Sequence, residues 1–200
     1  VEAHAGRRPG RAEIHQTLFE IESRGYALLL GLRRSRDWTA ISPRARDAAI
    51  DSLRSTFRIV VADIDPEFDG ESETGSADIE MRNGPSRAAA LAADMVVVCG
   101  DPTLRGLRTV MSVERDLIDL GVPEGRIIVA INRAPRSPRA RSELAGALAE
   151  LTQRRQVLGP VFLPDRRQLD VAHTVAGPLP SPLVNPMVRA VAAFLEQRPD

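Results

Sequence analysis

The stretch that decides the predicted fold is residues 58–70, Arg58-Ile-Val-Val-Ala-Asp-Ile-Asp-Pro-Glu-Phe-Asp-Gly70. A β-branched run ends in Asp63 and Asp65 and then breaks at Pro66, a pattern typical of a buried parallel strand that delivers acids to the rim of a sheet. Because side chains alternate along a strand, Asp63 and Asp65 share one side and Ile64 faces the other. The pair has two interpretations, a solubilising strand end or a functional site.

Helical and apolar extended segments alternate on either side of this stretch. Strands are predicted over residues 26–32, 94–100, 126–132 and 157–163. Helices are predicted over residues 11–23 (closed by Gly25), 43–55 (capped by Ser42), 85–93, 101–120 (capped by Asp101 and Pro102, ended by Gly121), 138–154 and 185–197 (capped by Asn185 and Pro186). Continuous apolar strands without a hairpin signal predict an α/β fold, a mainly parallel sheet flanked by helices on both faces. A single domain over residues 1–200 is expected.

Residues 66–84 are predicted to be irregular, and their acids outnumber their bases six to one. A loop of this length inside a compact domain is usually functional or mobile, and both interpretations stay open. No ordered ligand spacing for a metal ion stands out in this segment.

Composition excludes several classes of function. The formal net charge is zero, so no global field favours nucleic acid or an anionic membrane. Cys99 is the one cysteine; it lies in an apolar run and is predicted to be a buried core thiol. No apolar run approaches the length of a membrane helix and no signal core is present, so a cytoplasmic protein is expected. All 27 basic residues are arginine.

Polar residues follow each predicted strand, at the edge where ligands bind in parallel sheets. Asp63 after its apolar strand, the segment at residues 92–107 and the Asn132-Arg133 pair follow one another in the order found in the MinD/ParA family of deviant P-loop ATPases, which the chain resembles. In that family the aspartate of this motif helps to hold magnesium, so the resemblance implies a metal-side role for Asp63 with Asp65 as its neighbour. It also implies that Asn132 contacts the adenine base, with Arg133 beside it.

A last strand and loop complete the resemblance. Pro164 and Asp165 look like the start of the family's loop that covers the base. The family's glycine-rich phosphate loop and its lysines are absent, so the resemblance implies a P-loop upstream of residue 1, or a degenerate relative. Residues 1–6 resemble the family's switch segment, with His4 where the family has an aspartate. His4 is therefore a candidate catalytic position, although residues 1–200 alone are not expected to hydrolyse ATP.

The resemblance implies ATP or ADP and Mg²⁺ as ligands, a homodimer formed on nucleotide binding, and a protein partner in septum placement, partition or pilus assembly. One alternative is a non-catalytic scaffold or localisation protein with the same fold. A second is a DNA-binding module that uses Arg133, Arg136, Arg139 and Arg141. Membrane binding by the closing helix is not expected, because its apolar residues are predicted to pack against the sheet.

Overall fold

The computed structural model describes residues 8–32, 34–152, 159–165 and 179–197. The chain forms two compact units, Val1–Ala93 and Asp94–Asp200. The division into two compact units does not test whether the chain is a single domain, so the single domain inferred from the sequence stays a prediction. The candidate His4 lies outside the described residues.

The first unit is mainly helical and carries one small sheet. Its elements are α1 (Arg11–Gln16), β1 (Phe19–Ile21), β2 (Tyr26–Leu28), α2 (Pro43–Thr56), α3 (Glu71–Thr74) and α4 (Ala77–Ala92), with 3₁₀ turns at Glu22–Arg24 and Ser35–Ala40. The predicted cap of α2 is confirmed, because the Ser42 hydroxyl accepts a hydrogen bond from the Ala45 N–H at 3.2 Å.

The strands β1 and β2 form an antiparallel hairpin, with Phe19 opposite Leu28. The predicted helix over residues 11–23 therefore stops at Gln16, and the expectation that the chain has no hairpin is wrong. Gly25 adopts a left-handed conformation (φ 69°) that closes the turn between the strands. Each strand of this hairpin has only three residues, so its apolar pattern is too short to indicate a strand from the sequence.

The segment at residues 59–65 is not a strand, so the prediction of a buried strand with Asp63 at its end is wrong. Ile59 and Val61 are 82% and 89% exposed. Residues 29–32, the rest of another predicted buried strand, are likewise irregular and exposed. The β-branched composition of residues 58–65 favours extension, but a strand forms only where a neighbouring backbone completes its hydrogen bonds.

The prediction of an irregular segment over residues 66–84 is also wrong, because α3 and α4 occupy most of it. Glu73 Oε2 accepts from the Gly70 N–H at 2.6 Å. A hydrogen bond from the Ser72 hydroxyl, followed by this bond from Gly70, lowers the pKa of Glu73. The buried Asn83 donates to the Asp69 carbonyl at 2.9 Å. Glu73 therefore caps α3, Asn83 anchors α4 to the backbone of Asp69, and α4 runs through Pro85 rather than beginning there.

The second unit is α/β, with a parallel sheet flanked by helices, as predicted. Its elements are β3 (Val96–Gly100), α5 (Leu104–Leu120), a 3₁₀ turn (Glu124–Arg126), β4 (Ile127–Ala134), α6 (Pro138–Thr152), β5 (Val161–Pro164) and α7 (Ser181–Glu196). The strand order is β3-β4-β5, and both pairings are parallel. Gly121 ends α5 in a left-handed conformation, as expected.

The two faces of this sheet contact different helices. Ile128 and Ala130 cluster with Phe194 and Met187 of α7, which confirms that the closing helix packs on the sheet. A Cβ added at Gly100 would meet Val110 of α5. In the strand register, Gly100 lies on the face of the sheet opposite to the face that carries Ile128 and Ala130. Successive strand residues point to opposite faces, so α5 and α7 pack on opposite sides of the sheet.

Three details of this unit differ from expectation. Cys99 is exposed rather than buried. The N-cap of α5 is Thr103, two residues beyond the predicted Asp101. The closing helix begins at Ser181 rather than at Asn185 and contains Pro186 in its interior, where proline has no N–H to donate to the carbonyl of Pro182.

Candidate functional site

The carboxyl ends of β3, β4 and β5 lie at one edge of the second unit, because the three strands are parallel. This places Asp101, Asn132, Arg133, Pro164 and Asp165 at the same edge of the sheet. Four of these five are residues that the sequence singles out as base-binding candidates. Their role in binding a base stays a prediction.

Asn132 and Arg133 form an irregularity at the end of β4. The pairing with β5 shifts register between Ile131 and Ala134, as in a β-bulge. Arg133 has a φ of 52°, the one positive value at a non-glycine residue among those described. The Asn132 Oδ1 accepts a hydrogen bond from the Arg133 N–H at 2.9 Å, and both side chains are exposed. Non-glycine residues held in this conformation are enriched at functional sites, where they aim side chains that a regular strand would direct elsewhere.

The turn from β3 into α5 lies beside this bulge and is closed by an aspartate. Asp101 Oδ1 accepts from the Thr103 N–H at 2.8 Å and from the Thr103 hydroxyl. These two bonds, helped by the positive charges of Arg133 and Arg105, lower the pKa of Asp101. The carboxylate therefore stays ionised at the N-terminus of α5, where the helix dipole favours negative charge.

Two clefts open beside the sheet edge. The first has a volume of about 450 Å³ and is lined by Arg133, Pro102, Pro135 and Glu143, among others. The second has a volume of about 440 Å³ and lies between Phe162 and Pro164 of β5, residues at the start of α7, and Arg136, Arg141 and Arg189. Arg133, near the end of β4, thus lines the first cleft, whereas Arg136 and Arg141, which follow β4 in the sequence, line the second.

Asp63 and Asp65 belong to the first unit, where they lie on exposed, irregular backbone. Within the described ranges no group of three His, Cys, Asp or Glu side chains is placed to hold a metal ion. Two hard carboxylate donors suit a Mg²⁺ ion that keeps several of its waters and takes further oxygens from phosphate, so the donor chemistry fits that ion without forming a cage.

The sequence missed two features of this edge. The left-handed conformation of Arg133 could not be predicted from the sequence, because only glycine and asparagine adopt that conformation often enough to indicate it. Arg189 lies almost fifty residues beyond Arg141 in the sequence, and only the packing of α7 on the sheet brings it to the second cleft. The sequence did identify the Asn132-Arg133 pair, from its place after an apolar strand.

Comparison of the chain with protein-family models, with curated proteins and with solved structures found no significant match to any of them. In the part of the chain that the structure describes, every helix is too short or too polar to cross a membrane.

Proposed function

We propose that the chain is a nucleotide-binding domain of the MinD/ParA type, with a P-loop NTPase-like three-layer fold. It binds ATP or ADP with Mg²⁺ and acts as a dimerising switch in the intracellular positioning of a septum, a chromosome or plasmid, or a pilus machinery, in the cytoplasm. The observation that carries the proposal is the bulge at Asn132 and Arg133, at the carboxyl edge of a parallel sheet. Ligands of open α/β sheets bind at that edge.

The residues of the bulge fit an adenine base. An asparagine amide presents one donor and one acceptor, which match the acceptor and donor that adenine carries at N7 and N6. The bond from the Arg133 N–H uses one lone pair of the Asn132 Oδ1, and a carbonyl oxygen has a second. Pro164 and Asp165 lie at the end of the neighbouring strand and supply the next surface for the base.

The proposed metal ligands belong to the first unit and are considered by themselves. Asp63 and Asp65 are the proposed ligands of a hydrated Mg²⁺, the role that the resemblance to the MinD/ParA family implies for Asp63 with Asp65 as its neighbour. The chain contains only arginine among its basic residues, so the lysine contacts of this family would come from outside residues 1–200. The proposal for these residues is therefore one of binding, and hydrolysis is not expected of them alone.

Equilibrium binding of ATP in the presence of Mg²⁺ tests the proposal, with Asn132→Asp as the decisive variant. Aspartate keeps the Oδ1 acceptor for the Arg133 N–H, so the bulge is retained, but it replaces the amide donor with an oxygen. We expect affinity for ATP to fall by roughly tenfold, which corresponds to the loss of one hydrogen bond. Asp63→Asn should weaken ATP binding only when Mg²⁺ is present.

A matched control is Asp119→Asn, which makes the same charge change as Asp63→Asn at an exposed position near the C-terminal end of α5. It should leave ATP affinity unchanged. If the unaltered chain binds neither ATP nor ADP at millimolar concentration, the nucleotide proposal fails and a scaffold or localisation protein of the same fold is favoured. Equal loss in Asp63→Asn and Asp119→Asn would show only a general effect of charge.

A further inference from the structure

We propose that the second cleft binds the phosphate groups of a small anionic ligand. This cleft, the arginine cleft, is defined by Arg136, Arg141 and Arg189 and has a volume of about 440 Å³. The proposal goes beyond the nucleotide function, because neither Asn132 nor Arg133 lines the arginine cleft, although Pro164 does. It therefore assigns a second site at the same edge of the sheet.

The first argument is charge. The described residues that line the arginine cleft include three guanidinium groups and no carboxylate. None of the three arginines forms a salt bridge with another described residue. Like charges that converge on one concave surface without a counter-charge repel one another, and a bound anion relieves that repulsion.

The second argument is the orientation of Arg141. Its Nε donates to the Pro135 carbonyl at 2.7 Å, and its guanidinium carbon lies 5.9 Å from the centre of the Phe162 ring. These two contacts hold the planar group in place, and among the described residues its terminal nitrogens make no further hydrogen bond. A guanidinium held in this way loses less conformational entropy when it binds phosphate through two parallel hydrogen bonds.

The third argument is shape, which favours a small ligand over a nucleic acid. The three arginines come from separate elements, namely the loop after β4, α6 and α7, and all three line one open cleft. Arg139 lies between Arg136 and Arg141 in the sequence but is 90% exposed and pairs with Glu143 at 2.9 Å. A flat duplex surface would use Arg139 first, whereas a ligand inside the cleft would not touch it. Ser181 and Asn185 add polar groups at the wall formed by α7.

The test uses the full chain and inorganic pyrophosphate as the probe, with binding measured by calorimetry at low salt. Arg136→Gln and Arg141→Gln should each weaken pyrophosphate binding at least tenfold, which corresponds to the loss of one charge-assisted contact. The matched control is Arg139→Gln, which removes the same charge from the same short segment outside the cleft and should change affinity less than twofold. Urea unfolding of each variant checks that it stays folded, and Arg136→Gln keeps the test decisive if loss of the Arg141 bond to Pro135 destabilises the chain.

Two further measurements separate this site from the alternatives. If Asn132→Asp abolishes pyrophosphate binding while Arg141→Gln does not, the phosphate lies at the nucleotide site and the arginine cleft is excluded. A short DNA duplex should bind weakly, and its affinity should fall by a similar factor in Arg136→Gln, Arg139→Gln and Arg141→Gln. Tight DNA binding that weakens as much in Arg139→Gln as in Arg141→Gln, or no pyrophosphate binding at all, would overturn the proposal.

Discussion

Asp101 lies at the carboxyl edge of the sheet and also takes part in the hydrogen bonds that begin α5. Its carboxylate accepts the Thr103 N–H and hydroxyl, while the Thr103 Oγ1 accepts the Gly106 N–H at 3.0 Å. Asp101 therefore orients Thr103, and Thr103 in turn caps α5. This explains why the N-cap is Thr103, two residues beyond the Asp101 that the sequence indicates. The same bonds lower the pKa of Asp101.

The first prediction concerns this relay. Replacing Thr103 with alanine removes both the cap of α5 and the principal donor to Asp101, so the pKa of Asp101 should rise toward its ordinary value of 3.8. The lost N-cap should lower the free energy of unfolding by about 1 kcal/mol at neutral pH. NMR titration of the Asp101 side-chain carbon and urea unfolding measure the two effects.

The pH dependence has a definite sign. A carboxylate with a lowered pKa in the folded state stabilises the fold above its ordinary pKa, and that contribution disappears as the pH falls through the lowered value. The Asp101 part of the difference between Thr103→Ala and the unaltered chain should therefore vanish at strongly acidic pH. Thr103→Ser keeps the hydroxyl and is the control; an unchanged Asp101 pKa in Thr103→Ala would contradict the assigned cause.

The connection from β3 into α5 shows how two elements are fitted together. Gly100 faces Val110 of α5 so closely that an added Cβ would overlap the Val110 Cγ2. A Cβ on Gly106 would lie 2.6 Å from the Asp101 carbonyl oxygen. The two glycines let the helix approach the last residue of the strand, and this close approach places the start of α5 at the sheet edge.

The second prediction is that Gly100→Ala destabilises the second unit. Val110 is only 1% exposed, so it cannot move aside without disturbing the core. Overpacking at such a position should lower the free energy of unfolding by about 1 to 3 kcal/mol. Gly146→Ala is the matched control, because a Cβ there meets nothing within 4 Å and lies inside α6. It should raise the free energy by up to about 1 kcal/mol through helix propensity, and equal effects of the two variants would refute the packing explanation.

On the scale of the whole molecule, the two units differ in how they bury apolar side chains. The second unit has a continuous core, in which Val129, Ala130 and Ile131 are fully buried beneath α5 and α7. The first unit exposes the apolar residues of its two irregular segments, at residues 29–32 and 59–61. Stability that comes from apolar burial should therefore be concentrated in Asp94–Asp200.

The third prediction follows from this difference. A fragment of residues 94–200 should unfold cooperatively in urea, because its sheet and both covering helices lie within it. A fragment of residues 1–93 should show a broad transition with a low m-value and should bind a hydrophobic dye. A sharp transition for the first fragment and none for the second would contradict the structure's distribution of buried surface.

The α/β class, the helices and the parallel strands of the second unit could be predicted from the sequence. Their apolar runs are long, and Gly121 marks a helix end, as Ser42 does in the first unit, by local chemistry that does not depend on distant residues. The Asn132-Arg133 pair was also identified, because a polar pair after a buried strand at a sheet edge is a local pattern. Beyond that edge, the sequence predicts ligand types only through a family resemblance.

The sequence by itself determined which segments of this protein can be helical or extended, and it placed Asn132 and Arg133 at the end of a strand. Only the tertiary structure decided that residues 58–65 are irregular rather than a strand, that Arg133 is left-handed, and that Arg189 joins Arg136 and Arg141 in one cleft. The physical reason is the range of the interactions. Helix caps and apolar periodicity act over a few residues, whereas strand pairing, backbone strain and convergent charges depend on partners that are distant in sequence.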